Sequence, residues 1–141
     1  MASVENLAKN AIYSEASGDS TLWNSVGGRF YYVNAGTGAA KPYVIYSLGI
    51  SARYNVLGKR PPTASDFPVY FDIFSTSTIG VPTEAETIQS YITDVFDAAT
   101  LSLTGYSDVI LSRGPGQPPR WDEETGMWHV HESYMAIACK T

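Results

Sequence analysis

The sequence predicts an α+β fold, with a mostly antiparallel β-sheet of about five strands and two amphipathic helices packed on one face. Two segments repeat their apolar residues at helical spacing. Five others are rich in aromatic and β-branched residues, the signature of strands. Their order is helix, three strands, helix, two strands. Strands in runs, rather than in strict alternation with helices, favour an antiparallel sheet. With 141 residues and 44% hydrophobic content, residues 1–141 are expected to form one domain with its own core.

The first helix follows from Val4, Leu7, Ala8, Ala11 and Ile12, with Ser3 as its cap and Ser17-Gly18 as its end. Asp19 to Ser25 reads as a short turn anchored by Leu22 and Trp23, and Gly27-Gly28 breaks it. Arg29 to Val33 and Tyr43 to Ile50 read as strands separated by a Gly/Ala loop. Ser51 to Asp66 reads as a long connection without apolar periodicity. It carries Arg53, Lys59, Arg60 and Pro61-Pro62. Phe67 to Ser75 is a strand with Val69, Phe71 and Ile73 on one side and Tyr70, Asp72 and Phe74 on the other. Thr83 and Glu86 have the spacing of a capping box, opening a helix whose stripe is Ala85, Ile88, Ile92, Val95, Phe96 and Ala99. Tyr106 to Ser112 is the next strand, followed by a Gly/Pro-rich loop, Arg113 to Glu124. The last strand, Met127 to Cys139, sets Trp128, Val130, Tyr134 and Ala136 against His129, His131, Met135 and Ile137.

Composition narrows the function. A net charge of -5 with nine scattered basic residues disfavours a dedicated DNA-binding domain. No apolar run approaches the roughly 20 residues of a membrane span, and Met1 to Asn10 lacks the apolar segment of a secretory signal. One cysteine, Cys139, forms no internal disulfide, so a reducing compartment is the natural reading. Charged residues are only 16%, while 27 Ser and Thr and ten Tyr supply uncharged polarity. Interface cores share that bias, which points to a surface that faces other protein.

The chemistry-bearing residues are few. His129 and His131 project from one strand face about 6.5 to 7 Å apart, close enough to share a metal, but a site needs further ligands. Cys139 lies roughly 26 Å away along the strand and cannot join them locally. It reads as a buried, inert thiol, and the histidines as ordinary residues of a half-exposed strand. Asp122-Glu123-Glu124, consecutive and followed by Gly126, reads as a solvated hairpin turn rather than a Ca²⁺ loop. No phosphate loop or nucleophile elbow occurs. No catalytic residue, metal or cofactor is therefore expected. The candidate interface residues are Arg53, Lys59 and Arg60, placed to meet a neighbour's carboxylates, and the acidic Asp122, Glu123 and Glu124.

The residue order also carries a family likeness. An N-terminal helix leads into Leu22-Trp23 and Gly27-Gly28-Arg29-Phe30-Tyr31, then Pro42-Tyr43-Val44-Ile45-Tyr46. The strand Phe67 to Ser75, an amphipathic helix, a Leu-x-Leu-x-Gly step from Leu101 to Gly105, and a hairpin from Glu123 to Gly126 before a long strand complete it. This pattern resembles the tail-completion (tail-terminator) proteins of tailed bacteriophages. The resemblance implies a structural virion protein of the neck, assembled in the host cytoplasm. It implies a ring homo-oligomer, usually hexameric, that caps the tail tube and joins tail to head. Implied partners are further copies of itself, the tail-tube protein and a head-side connector or stopper. Genome DNA would pass through the lumen without specific binding, and no membrane is involved. The alternatives are a head-side connector or adaptor subunit, or a small α+β ligand-binding or metal-dependent enzyme domain using His129 and His131.

Overall fold

The computed structural model describes residues 3–49, 52–54, 64–76 and 82–140. Helix α1 (Val4–Gly18) starts at Ser3, whose side chain accepts a hydrogen bond from the Asn6 amide. Asp19 ends it, its amide bonding the Ala16 carbonyl, and in turn caps α2 (Ser20–Ser25) by accepting from the Leu22 amide at 3.0 Å. The segment expected as a turn is thus a second short helix. Asp19 is what divides the two, since its extended backbone breaks one helix while its side chain starts the next.

The strands follow as β1 (Phe30–Tyr32), β2 (Tyr43–Leu48), β3 (Ala52–Tyr54) and β4 (Ala64–Ser75). Then come helix α3 (Thr83–Phe96), β5 (Thr100–Leu101), β6 (Tyr106–Arg113), β7 (Arg120–Asp122) and β8 (Met127–Lys140). They form one sheet in the order β1-β2-β4-β8-β6-β5, with β3 also on β4 and β7 also on β8. Among the described residues only β1 and β2 pair in parallel; the other pairings are antiparallel. The predicted α+β class and antiparallel sheet are observed. The strand count is eight rather than about five, because β3, β5 and β7 have two or three residues, too few to show a period.

Two long strands organise the sheet. β4 and β8 pair over twelve positions, from Ala64↔Cys139 to Ser75↔Trp128. β4 carries β2 and β3 end to end on its far edge, and β8 carries β7 and β6 on its own. The expected loop from Ser51 to Asp66 therefore contains β3 and the start of β4, and the expected loop from Arg113 to Glu124 contains β7. A glycine is needed at Gly49, where a Cβ would sit 2.3 Å from the Pro68 ring.

The strand faces alternate as predicted. Phe67, Val69, Phe71 and Ile73 of β4, with Val130, Tyr134, Ala136 and Ala138 of β8, are buried. They join one core with Val4, Ala8, Ile12 and Ala16 of α1, Leu22 of α2, and Ala85, Ile88, Ile92 and Phe96 of α3. Cys139 falls on the opposite face and is exposed, which corrects the expected buried thiol. Parity decides this, since its neighbour Ala138 takes the inward position.

The expected capping box is also corrected. The cap position of α3 is Pro82, which has no side-chain hydrogen bond to give, and Thr83 is already inside the helix. Glu84 and Glu86 in the first turn favour the start through the helix dipole instead. Asp19→Ala is accordingly expected to destabilise the fold by about 1 kcal/mol, and Thr83→Ala by less than about 0.5 kcal/mol. Equal shifts of the two denaturation midpoints would contradict this assignment of caps.

Candidate functional site

The sheet face away from the helices carries the polar and aromatic side chains. Cross-strand register brings them together: Tyr43 lies opposite Phe74, Phe74 opposite His129, and Asp72 opposite His131. The Tyr43 and Phe74 rings stack at 5.1 Å, and Phe74 stacks on His129 at 4.6 Å with the planes 6° apart. Tyr31 meets Tyr43 edge-on at 6.1 Å, and Tyr70 stacks on His131 at 5.5 Å. A band of rings thus crosses β1, β2, β4 and β8.

At its centre, His129 Nε2 and His131 Nδ1 each lie 2.8 Å from the same Asp72 oxygen, Oδ1. Each imidazole N–H donates to that carboxylate, and all three side chains are about three-quarters buried. Burial pushes the Asp72 carboxyl up, but the hydrogen bonds from His129 and His131, with the histidines' charge, outweigh it and hold the carboxyl below its ordinary value. A carboxylate held low stabilises the fold fully above its unfolded value of about 3.9 and loses that contribution as pH falls through the folded value. Wild type should therefore lose stability from about pH 5 down to about pH 2 more steeply than Asp72→Asn. Parallel profiles of urea midpoint against pH would refute the assignment.

The sequence expectation for the two histidines was a shared strand face, and they do share one. What it missed is Asp72, which lies on a strand 57 residues earlier than His129. Among the described residues, no group of three or more His, Cys, Asp or Glu side chains is arranged to hold a metal ion. The histidines face a single carboxylate oxygen as hydrogen-bond donors.

Next to His129 the β7–β8 hairpin encloses a cavity of about 320 Å³, bounded by Phe74, Arg120, Trp121, Asp122, Glu123, Thr125, Met127 and His129. Asp122, Glu123 and Glu124 form the hairpin turn and are exposed, as the sequence suggested. The Gly126 amide bonds the Asp122 carbonyl at 2.8 Å, with Gly126 at φ 65°. Asp122 is held low, chiefly by a hydrogen bond from Thr125. Arg53 stands on β3, while Lys59, Arg60 and Pro61-Pro62 lie outside the described residues.

A second polar cluster lies on the helix side. Glu132 is completely buried and meets Arg113 in two parallel bonds, Nε to Oε2 at 3.0 Å and Nη2 to Oε1 at 2.7 Å. Gln89 of α3 donates to Oε1 as well. The Glu132 hydrogen bond, then its charge, raises Arg113 above its ordinary value. The cluster ties the end of β6 to α3 and β8, and the chain beyond is fastened by Gly114 N–H to the Ser133 carbonyl and by Ser133 Oγ to the Pro115 carbonyl. Its signal in the sequence was parity, since Glu132 falls between inward-facing Val130 and Tyr134.

No protein-family model matches the sequence, and no curated protein matches it. Solved structures do match. One is a chain of the virion of a native gene transfer agent (GTA) particle. It is 18% identical, the match covers 99% of each chain, and the TM-score is 0.77. A second solved chain is 10% identical with a TM-score of 0.71, again over 99% of both. At these identities the likeness is one of fold.

Proposed function

We propose that this chain is a structural virion protein of a phage-like particle, a tail-terminator or tail-completion subunit of the neck. The observation that carries the reading is the fold likeness, over 99% of both chains, to a chain of a GTA virion. In this reading residues 1–141 act as one domain, and copies close into a ring, hexameric as in the family the sequence resembles. The ring caps the tail tube, meets a head-side connector or stopper, and lets genome DNA pass without specific binding. Assembly takes place in the host cytoplasm and the protein ends in the virion. The acidic balance suits a DNA passage, since a lumen of like charge does not retain phosphate. Arg53, Lys59, Arg60 and the Asp122-Glu123-Glu124 turn remain the proposed contacts with neighbours. The chain is not an enzyme in this reading, and the Asp72 cluster fastens β4 to β8.

The test is electron microscopy of lysates from producing cells that lack the protein. Loss of a terminator leaves filled heads and unjoined tails of abnormal length. Free tails of normal length would instead assign the chain to the head side, as an adaptor. Normal joined particles would remove it from the neck.

A further inference from the structure

Among the described residues, large apolar side chains are exposed in two places, towards opposite ends of the sheet and on opposite faces. At the β1 edge stand Tyr13 and Tyr32, on the helix side and exposed by 43% and 39%, with Val33 next in the chain, exposed by 59%. Tyr32 has the same parity as buried Phe30, which fixes its side of the sheet. Beneath it lies buried Tyr46, whose ring meets Tyr32 at 5.2 Å and whose phenol is pushed up to about 12 by burial and then by Tyr32 and Tyr13. At the other end, on the outer face, stand Ile110, Met135 and Ile137, exposed by 46%, 43% and 46%. Ile110 and Ile137 are direct cross-strand partners, and Met135 lies one step further along the same face.

Val33 is the more telling residue. It is β-branched, more than half exposed, and held at φ 68°, a conformation that such side chains rarely adopt. Its amide is held by the Tyr46 carbonyl at 2.9 Å, while its side chain is left to the surface. Such outliers cluster where a surface is used.

We propose that the Tyr13–Tyr32–Val33 patch of one copy seats on the Ile110–Met135–Ile137 patch of the next. This rests on the ring reading above and names its subunit contact. Three features select a second copy of this chain as the occupant. A two-fold contact would pair one patch with itself and leave the other bare, whereas a head-to-tail contact buries both at once and repeats around a ring. Opposite faces at opposite ends let successive copies overlap like tiles. The charges also match. The β1 end carries Lys9, with its ammonium over the Tyr32 ring, and Arg29. The other patch carries Asp66, directly opposite Ile137 and on the same outer face.

The experiment is sedimentation velocity on the full chain, with Val33→Asp and Ile137→Asp. Aspartate tolerates the backbone at position 33 better than valine does, and both sites are exposed, so the folded subunit should survive. Circular dichroism checks this, and Tyr13→Asp with Met135→Asp replaces any variant that fails to fold. Wild type should assemble with rising concentration. Each variant alone should associate on the order of 100-fold more weakly, because every contact then buries one carboxylate among apolar side chains. Mixed, the two variants should give a 1:1 dimer and nothing larger, since each retains one intact patch. Variants that assemble like wild type, or a mixture that stays monomeric while wild type forms rings, would overturn the contact and leave the ring reading intact. A wild type that stays monomeric at every concentration would overturn both.

Discussion

Replacing Phe71 with alanine is expected to destabilise the fold by about 3–5 kcal/mol, the range for emptying a large buried aromatic site. Phe71 is completely buried at the middle of β4, on the face that α3 covers. Its ring stacks on Phe96 of α3 at 4.8 Å, meets Tyr134 of β8 edge-on at 5.5 Å, and lies 6.2 Å from Phe30 of β1. It therefore joins a helix, the two long strands and the sheet edge through one side chain. Neighbours from three elements cannot collapse together into the space without breaking their own pairings, so the cavity term should stay near its full value. Phe71→Leu should recover more than half of the loss. Urea denaturation gives the comparison. A loss below about 1.5 kcal/mol, as for a tolerated volume-conserving swap, would mean that the core does not centre on this ring. Phe71 and Phe96 should also be coupled, so the double alanine variant should lose less than the two single variants together.

This core was legible in the sequence because it depends only on period. Val69, Phe71 and Ile73 alternate with Tyr70, Asp72 and Phe74, and Ile88, Ile92 and Phe96 recur at helical spacing, so each element declares its inward face by itself. The helix starts were less legible. Thr83 and Glu86 have capping-box spacing, yet the helix begins one residue earlier than that motif requires, and Pro82 holds the cap position. Local spacing could not distinguish these two registers, since both place the same apolar stripe inward. The cluster around Asp72 was out of reach for a different reason. It exists only because β4 and β8 pair in one register, with Asp72 opposite His131, and a slip of one residue would break it. Register between strands so far apart in sequence is set by the whole sheet, not by either segment. The short strands β3, β5 and β7 are likewise products of their neighbours, since each pairs with a longer strand already in place. Glu132 lies between these cases. Its inward position could be read from parity, and a buried carboxylate requires a partner, but nothing local singled out Arg113.

Arg113→Met is the second large effect expected, again about 3–5 kcal/mol, for a reason opposite to lost packing. The Arg113 side chain is 39% exposed and gives up little apolar burial when it is removed. What remains is Glu132, fully buried, with both oxygens deprived of the guanidinium and only Gln89 donating to Oε1. The loss is that of an uncompensated charge rather than of a favourable pair. The distinction is testable, because it predicts different results for removing one partner and removing both. Glu132→Leu in the Arg113→Met background leaves no buried charge, so the double variant should recover most of the stability and come within about 1 kcal/mol of wild type. Arg113→Lys should fall between, since a single ammonium cannot reproduce two parallel bonds to one carboxylate. If instead the double variant is as unstable as Arg113→Met, the pair itself holds β6 to β8 and α3, and its worth lies in geometry rather than in neutralising Glu132. That outcome would also be visible locally: the Gly114 amide, bonded to the Ser133 carbonyl at 2.8 Å next to the cluster, would exchange its hydrogen faster in the double variant than in wild type. If the charge account holds, that amide should be exposed by Arg113→Met and protected again once Glu132 is replaced.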